Sequence, residues 1–454
     1  MSNLLDKASV ILTPTAYNNG EALCVKPSDG SGDFDFSRNS AATRVNAQGL
    51  VENVQILSSN LVQNGDFSEE GAEEVSNGSF SQEGAEEITN GDFATDSDWL
   101  FGGSASISNG SANFTGSGDL IRQNATTPSG TYKITFTVTG TGYLVVKNYT
   151  GGVLYKEYTN ISQGEHTIYV EKNEDGIMFQ SFGFDGSIES VSVREVGQDW
   201  DTFGTIDANN TVSFANNELT LRNDGSGSGV KQDALTSGKT YKVVVNVTDI
   251  VGNGFKVDMG NLQNITTTGT KTFYLKATTT SLLLYRNSTS PQAVNGATIT
   301  NISVKEVGMD WSLVGDFEVN NQEAYITNAS QYSQLTNQIG VNYLLSAKKY
   351  KLEADIETLS ISGALAYRYS GGAIQRIYTT DIIDGKFTAY FTMPQDGNFW
   401  FQTTANYAGL NATITNISVI EITDDTNLPR INYEGFSYQA VSYTHLTLPT
   451  ICSV

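Results

Sequence analysis

The feature that most constrains this chain of 454 residues is that it repeats itself. Three segments share one pattern: Ile188-Glu-Ser-Val-Ser-Val-Arg-Glu-Val-Gly197, Ile299-Thr-Asn-Ile-Ser-Val-Lys-Glu-Val-Gly308 and Ile414-Thr-Asn-Ile-Ser-Val-Ile-Glu-Ile-Thr423. Each alternates apolar and polar residues, which puts Ile and Val on one face of a strand and Ser, Lys, Arg or Glu on the other. They read as the closing strands of three modules. A second marker, Tyr132-Lys133, Tyr241-Lys242 and Tyr350-Lys351, keeps one period, since 241 minus 132 and 350 minus 241 both give 109 residues. A third, Asp98-Trp99, Asp199-Trp200 and Asp310-Trp311, opens the modules, and its Trp is read as a packing anchor at the sandwich end.

Within each repeat, runs such as Tyr132 to Val138 and Tyr241 to Val247 alternate on a period of two between clusters of Gly, Asn, Asp and Ser. The 44 Gly, 22 Tyr and 21 Phe, against only 5 Met, suit pleated strands and tight turns better than helices. The predicted fold is all-β: tandem antiparallel β-sandwich modules of the jelly-roll kind behind a small N-terminal region. Residues 1–60 form that region, 90–197, 198–308 and 309–423 the three modules, and 424–440 the start of a truncated downstream domain. Between them, residues 61–89 carry a shorter repeat that runs on into the first module, with Asn64-Gly-Asp-Phe67, Asn77-Gly-Ser-Phe80 and Asn90-Gly-Asp-Phe93 spaced by 13 residues and acidic EEGAEE and QEGAEE runs between them. Two readings stay open for it: stacked extended rungs forming a neck, or a duplicated first strand. A flexible acidic linker fits the composition of both.

The tail stands apart. Val441-Ser-Tyr-Thr-His-Leu-Thr-Leu-Pro-Thr450 resembles the translation of a transposon-based sequencing adapter, so residues 441–454 are excluded from fold reasoning and the natural protein is expected to continue beyond about Gln439. That leaves Cys24 and His166 as the native Cys and His. An intramolecular disulfide, a Ser-His-Asp or Cys-His catalytic set and a clustered zinc site are all excluded by this inventory. His166 aligns with Lys271 and Lys386 and is expected to face solvent. Paired carboxylates for glycoside hydrolysis are available among the 49 Asp and Glu, but no acidic pair stands out, and no catalysis is expected.

A formal net charge of -23 repels nucleic-acid phosphates and anionic lipid, so nucleic acid is not an expected partner. No run approaches the roughly 18 apolar residues of a bilayer span, and the opening Met1 to Gly20 lacks the pattern of a signal peptide, so no membrane insertion is expected. Asp29-Gly-Ser-Gly-Asp-Phe-Asp35 places oxygen ligands at alternate positions, making structural calcium the one cofactor considered. It lacks the sixth-position Gly and twelfth-position Glu of a helix-loop-helix site. Gly225-Ser-Gly-Ser-Gly-Val230 has no Lys-Ser or Lys-Thr after it and reads as a turn, not a phosphate loop.

Sugar recognition uses flat apolar ring faces flanked by hydrogen-bonding side chains. On that ground Tyr143, Tyr149 and Tyr158 in the first module, and Tyr367, Tyr369, Tyr378 and Trp400 in the third, are the candidate carbohydrate-binding residues. Tyr149-Thr-Gly-Gly152 and Tyr369-Ser-Gly-Gly372 match, which predicts a shared hairpin. The second module carries Gly254-Phe-Lys-Val-Asp258 there and is poorer in rings, so it is the one expected not to bind.

Two resemblances follow from these motifs. Asn-Gly-Asp-Phe, then Trp, then Tyr-Lys with alternating apolar residues, then Ile-Thr-Asn-Ile-Ser-Val, resembles carbohydrate-binding jelly rolls of the family 4 and family 9 type in the galactose-binding-like group, over residues 90 to 423. Separately, Ser28-Asp-Gly-Ser-Gly-Asp-Phe-Asp-Phe-Ser-Arg-Asn-Ser-Ala-Ala-Thr-Arg-Val-Asn46, with Asn427-Leu-Pro-Arg-Ile-Asn-Tyr433, resembles structural proteins of tailed bacteriophages, of the tail-fibre or appendage kind. This second resemblance implies a virion-surface protein made in the host cytoplasm, with glycan and other virion proteins as partners and a homo-oligomer allowed. The expected function is non-catalytic glycan adhesion, where several weak sites gain avidity from linkage. A purely structural fibre spacer and the accessory region of a secreted polysaccharide-degrading enzyme are the rival expectations.

Overall fold

The alternation written in the sequence becomes pleat. Tyr132, Ile134, Phe136 and Val138 all point inward, as do Tyr241, Val243, Val245 and Val247 and Tyr350, Leu352, Ala354 and Ile356, while the residues between them face out. Full burial of such side chains is worth about 1.5–3 kcal/mol each, so one strand of this kind anchors a core. The structure is a computed structural model that describes residues 51–125, 130–172, 175–206, 210–223, 227–286, 295–320, 322–329, 332–337, 343–404 and 410–424, with the short stretches 17–18, 21–22, 34–35 and 42–45. Among the described residues there is no α-helix and one 3-10 turn, Thr379–Asp381. The protein is all-β, built from antiparallel sheets. The adapter-like tail and the segment from Asn427 to Tyr433 lie outside the described residues.

The chain divides into two compact units, one joining residues up to Glu69 with those from Gly308, the other running from Glu70 to Val307. The second unit holds two modules. In one, the strands Ser106–Ser108, Ser111–Phe114, Asp185–Val196, Gly130–Lys147 and Gly164–Lys172 lie side by side. The long strand Gly130–Lys147 then crosses into the facing sheet, Leu100–Gly102, Leu120–Gln123, Ile177–Ser181, itself and Leu154–Ile161. It turns at Gly140 and Gly142, whose φ values of 121° and 125° few side chains tolerate. In the other module the sheet Asn210–Ala215, Glu218–Asn223, Asn295–Val307, Thr240–Val251, Gly269–Lys276 faces Asp201–Phe203, Gly229–Gln232, Leu282–Arg286, Phe255–Asp258, Leu262–Ile265.

The first-named unit repeats the plan. Phe317–Asn320, Glu323–Thr327, Asn411–Asp424, Lys349–Leu359, Lys386–Thr392 and Ile382–Ile383 form one sheet, and Trp311–Val314, Gln334–Asn337, Phe399–Thr403, Leu365–Tyr369 and Gln375–Arg376 the other. The same unit carries a small hairpin, Thr43–Val45 with Val51–Asn53, tied by an Arg44–Glu52 ion pair of 2.7 Å. The segments ending each module in the sequence are central strands, paired on both sides, because their alternating apolar face is the one that must be covered.

The 13-residue repeats have a role that neither a linker nor a stack of rungs describes. Each copy is the first strand of a different module. Glu83–Glu86 pairs with Asp185–Val196, Glu70–Glu73 with Asn295–Val307, and Ile56–Asn60 with Asn411–Asp424. The order is inverted, so the copy nearest the modules serves the first and the most distant serves the third. The modules are therefore nested in the sequence, each enclosed between the opening strand and the body of the next.

One clamp fastens every copy. The indole N–H groups of Trp99, Trp200 and Trp311 donate to the carbonyls of Asn90, Asn77 and Asn64 at 3.0, 3.2 and 2.8 Å. Their rings meet Phe93, Phe80 and Phe67 with centroids 5.3, 5.6 and 5.2 Å apart. Each Asn side chain reaches toward the Asp-Trp segment: Asn64 donates to the Met309 carbonyl, Asn77 to Gln198 and Asn90 to Ser97. Asn64, Asn77 and Asn90 all hold positive φ near 48°, a conformation Asn tolerates better than most residues. The Gly that follows is required by space, because a Cβ at Gly65, Gly78 or Gly91 would fall inside van der Waals contact of the carbonyl oxygen of Ile417, Ile302 or Val191. The three Trp are thus packing anchors.

The acidic runs also find partners. Glu83 and Glu70 pair with Lys133 and Lys242 at 2.6 Å each. Glu86 and Glu73 accept from the backbone N–H of Val193 and Val304, both at 2.7 Å, and from the hydroxyls of Ser192 and Ser303. In the outermost copy Asn60 takes that place, accepting from the Val419 N–H at 3.0 Å.

Candidate functional site

The facing sheet of each module turns one side to the core and the other outward. In the third module the inward set is Leu365 and Tyr367 with Phe399 and Phe401, so Ala366, Arg368, Trp400, Gln402, Thr336 and Gln334 share the outer side. Trp400 lies directly between Thr336 on one neighbouring strand and Arg368 on the other. Its indole N–H donates to Gln402 Oε1 at 2.7 Å, which fixes the ring, and the Arg368 guanidinium stands 5.6 Å from the ring centre. A held ring with hydrogen-bonding side chains at its rim is the chemistry that recognises a sugar.

The equivalent outer sides of the other modules differ. Counting from the cross-strand partners, Met178 and Leu283 occupy the position of Trp400. The first module has a different cluster: the Tyr143 and Phe182 rings lie 5.5 Å apart, Tyr143 donates to the Glu157 carboxylate, and Arg122 stands 4.8 Å over the Tyr149 ring. The bond to Glu157 raises the Tyr143 phenol above its ordinary range. In the second module the Tyr285 hydroxyl donates to Asp258 at 2.8 Å. Burial, and then that carboxylate, push its pKa up to about 12.

The structure separates the seven residues chosen from sequence. Trp400 holds the outer side of its sheet, and Tyr143 and Tyr149 are half-buried on the first module. Tyr378 is 48% exposed and covers Gly363 beside the 3-10 turn. Tyr367 is a core residue instead, packed on Phe387 and Phe391, because it alternates in phase with Leu365; burial raises its phenol pKa. Tyr158 likewise packs inward, edge-on to Phe136 and His166, and burial raises its pKa too. Tyr369 stacks on Phe391 at 4.6 Å and lines a groove of about 600 Å³ with Tyr390, Lys349, Asn53 and Gln55.

Two sequence alignments shift by one residue. Tyr149 and Tyr369 do both sit in hairpins, but Lys147 and Arg368 are the equivalent strand positions, so Tyr149 lies two residues past them and Tyr369 one. One residue reverses the face of a strand, which sends the two rings opposite ways. His166 does not simply face solvent: it stands opposite Phe136, half-buried, stacks on that ring at 5.5 Å, and its Nε2 is 2.7 Å from the Ser162 carbonyl. Lys271 shares its register, whereas Phe387 does so in the third module, one position from Lys386.

Arg368, Thr336 and Gln402 are outward neighbours that sequence reasoning missed. The signal was present in Leu365-Ala-Tyr-Arg-Tyr369, where an inward Leu and Tyr leave Arg368 on the other side. Among the described residues no group of three or more His, Cys, Asp or Glu converges as metal ligands, and no helix is long and apolar enough to cross a membrane. The calcium reading at Asp29–Asp35 lies, apart from the backbone of Phe34–Asp35, outside the described residues.

No family model matches the chain, and no curated protein does. Among solved structures, an N-terminal tandem of two CBM22 domains from Paenibacillus barcinonensis is similar over 49% of this chain and 93% of its own, at 10% identity and a TM-score of 0.17. The structure of Sulfolobus turreted icosahedral virus aligns over 72% and 90%, at 13% identity and 0.17. A triple jelly roll from the turret of an archaeal virus aligns over 71% and 89%, at 12% and 0.18. At these TM-scores the likenesses carry no argument; the class, tandem antiparallel β-sandwiches, rests on this protein's own sheet topology.

Proposed function

We propose that this protein is a non-catalytic carbohydrate-binding protein of a virion surface, acting through its tandem sandwich modules. One observation carries the binding half: Trp400, fixed by Gln402 and flanked by Thr336 and Arg368, on the outer side of a rigid sheet. Sites built on strands are held more closely than sites on loops, so this ring is pre-organised for a flat ligand. The virion half rests on the bacteriophage resemblance between Ser28 and Asn46.

A structural spacer is the second reading, and the inward packing of Tyr158 and Tyr367 favours it. A glycan array probed with the whole chain beside Trp400→Ala separates the two. Binding that the variant loses supports the lectin-like reading; silence across a broad array, with and without calcium, supports the spacer.

A further inference from the structure

The charge distribution of the third module sets its ligand class apart from a neutral sugar. The chain as a whole carries -23, yet the five strands Trp311–Val314, Gln334–Asn337, Phe399–Thr403, Leu365–Tyr369 and Gln375–Arg376 contain no Asp or Glu and two Arg. Among the described residues Arg368 forms no ion pair, and its Nε is buried with no hydrogen-bond partner. A guanidinium held beside a ring without a carboxylate is unusual in so acidic a protein, because acids to pair with it are abundant. A planar guanidinium fork matches a carboxylate or sulfate in two parallel hydrogen bonds.

The arginine-and-ring pair recurs in the first module, in a sheet that also carries Glu157. There Arg122 lies over the Tyr149 ring and, among the described residues, forms no ion pair and has a buried Nε with no partner. The second module breaks it: Lys256 stands 5.7 Å from the Tyr285 ring, but Asp258 accepts from that tyrosine and Asp201 shares the sheet.

Resting on the carbohydrate-binding reading above, we infer that the ligand is an acidic glycan, whose anionic group meets Arg368 while its ring lies on Trp400, with Arg122 and Tyr149 forming a second such site. The second module takes no part. A negatively charged polymer binds an acidic protein here because the local field of the sheet differs in sign from the net charge, and screening confines each charge to its neighbourhood.

The test uses the whole chain against polygalacturonate, the same polymer after carboxyl reduction, dextran sulfate and dextran, by titration calorimetry. The expected result is binding to polygalacturonate at least roughly tenfold tighter than to its reduced form, weakened by salt, and reduced about tenfold by Arg368→Gln. Preference for dextran sulfate over dextran, with polygalacturonate inert, supports an anionic ligand and assigns it as sulfate. Equal binding to the charged and neutral polymers overturns the acidic class and leaves the carbohydrate-binding reading standing. No binding to any of the four overturns the inference, and the broad array described above then decides the reading itself. The comparison of polymers on the unaltered protein holds whether or not the variant folds.

Discussion

The nested topology makes a demand on any attempt to isolate the third module. A fragment of residues 309–424 has its Trp311 but lacks Ile56–Asn60, Val62 and Phe67, all supplied from the other side of a 238-residue insertion between Glu69 and Gly308. Removing a core Phe costs about 3–5 kcal/mol, and leaving the Trp311 indole N–H without its Asn64 acceptor about 1–3 more. With Val62 and the strand pairing lost as well, the deficit reaches most of the about 5–15 kcal/mol that a domain of ordinary stability has. The contrary deletion, residues 70–307 removed and Glu69 joined to Gly308, is expected to fold. Asn64 accepts from the Glu69 N–H at 3.1 Å and donates to the Met309 carbonyl at 2.9 Å, so one side chain bridges the two segments to be joined and holds those two backbone groups within roughly 8 Å. Calorimetry and near-ultraviolet circular dichroism on both proteins provide the assay. Cooperative unfolding of residues 309–424 at the temperature of the deletion protein would refute the reasoning.

Two further outcomes follow from local geometry. Gly91→Ala forces a methyl against the Val191 carbonyl and is expected to destabilise its module by about 1–3 kcal/mol in urea unfolding, whereas Gly152→Ala, whose methyl would meet only Thr150 Oγ1 at an ordinary 3.7 Å, is expected to be close to neutral. Asp119 is buried: burial alone would raise its pKa, but the backbone N–H groups of Ser104, Thr115 and Gly116, at 2.6, 2.8 and 2.8 Å, outweigh it and hold the carboxyl below its usual range. A lowered folded pKa contributes stability that is present above the unfolded value and lost as pH falls through the folded one. Asp119→Asn therefore lowers the melting temperature at neutral pH, and the gap to the unaltered protein closes on acidification below about pH 4; a gap that persists or widens there contradicts the assignment.

What sequence made legible was whatever is local and periodic. The Tyr-Lys strands were readable because inward and outward residues alternate within one segment, and the Asp-Trp anchors because they recur. Nesting was not readable in the same way. The partners of Glu70 and Glu73 are Lys242 and Ser303, far along the chain, and an acidic run read without its partners has the composition of a linker. One clue was present, three short copies for three modules. The site was half legible for a related reason: the aromatic residues announce themselves, but which side each faces depends on a register that shifts by one residue between Tyr149 and Tyr369. Arg368 drew no attention as an isolated cation, and gained meaning only with Trp400 across from it, in five strands that contain no Asp or Glu.

The order in which a ribosome delivers these segments gives the nested strands a history. At about 5–20 residues per second, the opening strand of the third module emerges and then waits roughly 12–50 s for Gly308 and the partners beyond it, while the two inner modules can close in turn. Through that interval it must decline the near-identical docking edges that appear before its own. The copies that dock on those edges use carboxylates, Glu83 to Lys133 and Glu70 to Lys242, whereas the waiting copy has Leu57 at the equivalent place and Asn60 for Glu73 and Glu86. Its divergence from the other two leaves it without the carboxylates that pair with Lys133 and Lys242 on the inner edges, so the pairing chemistry of the third module differs from the two that close before it.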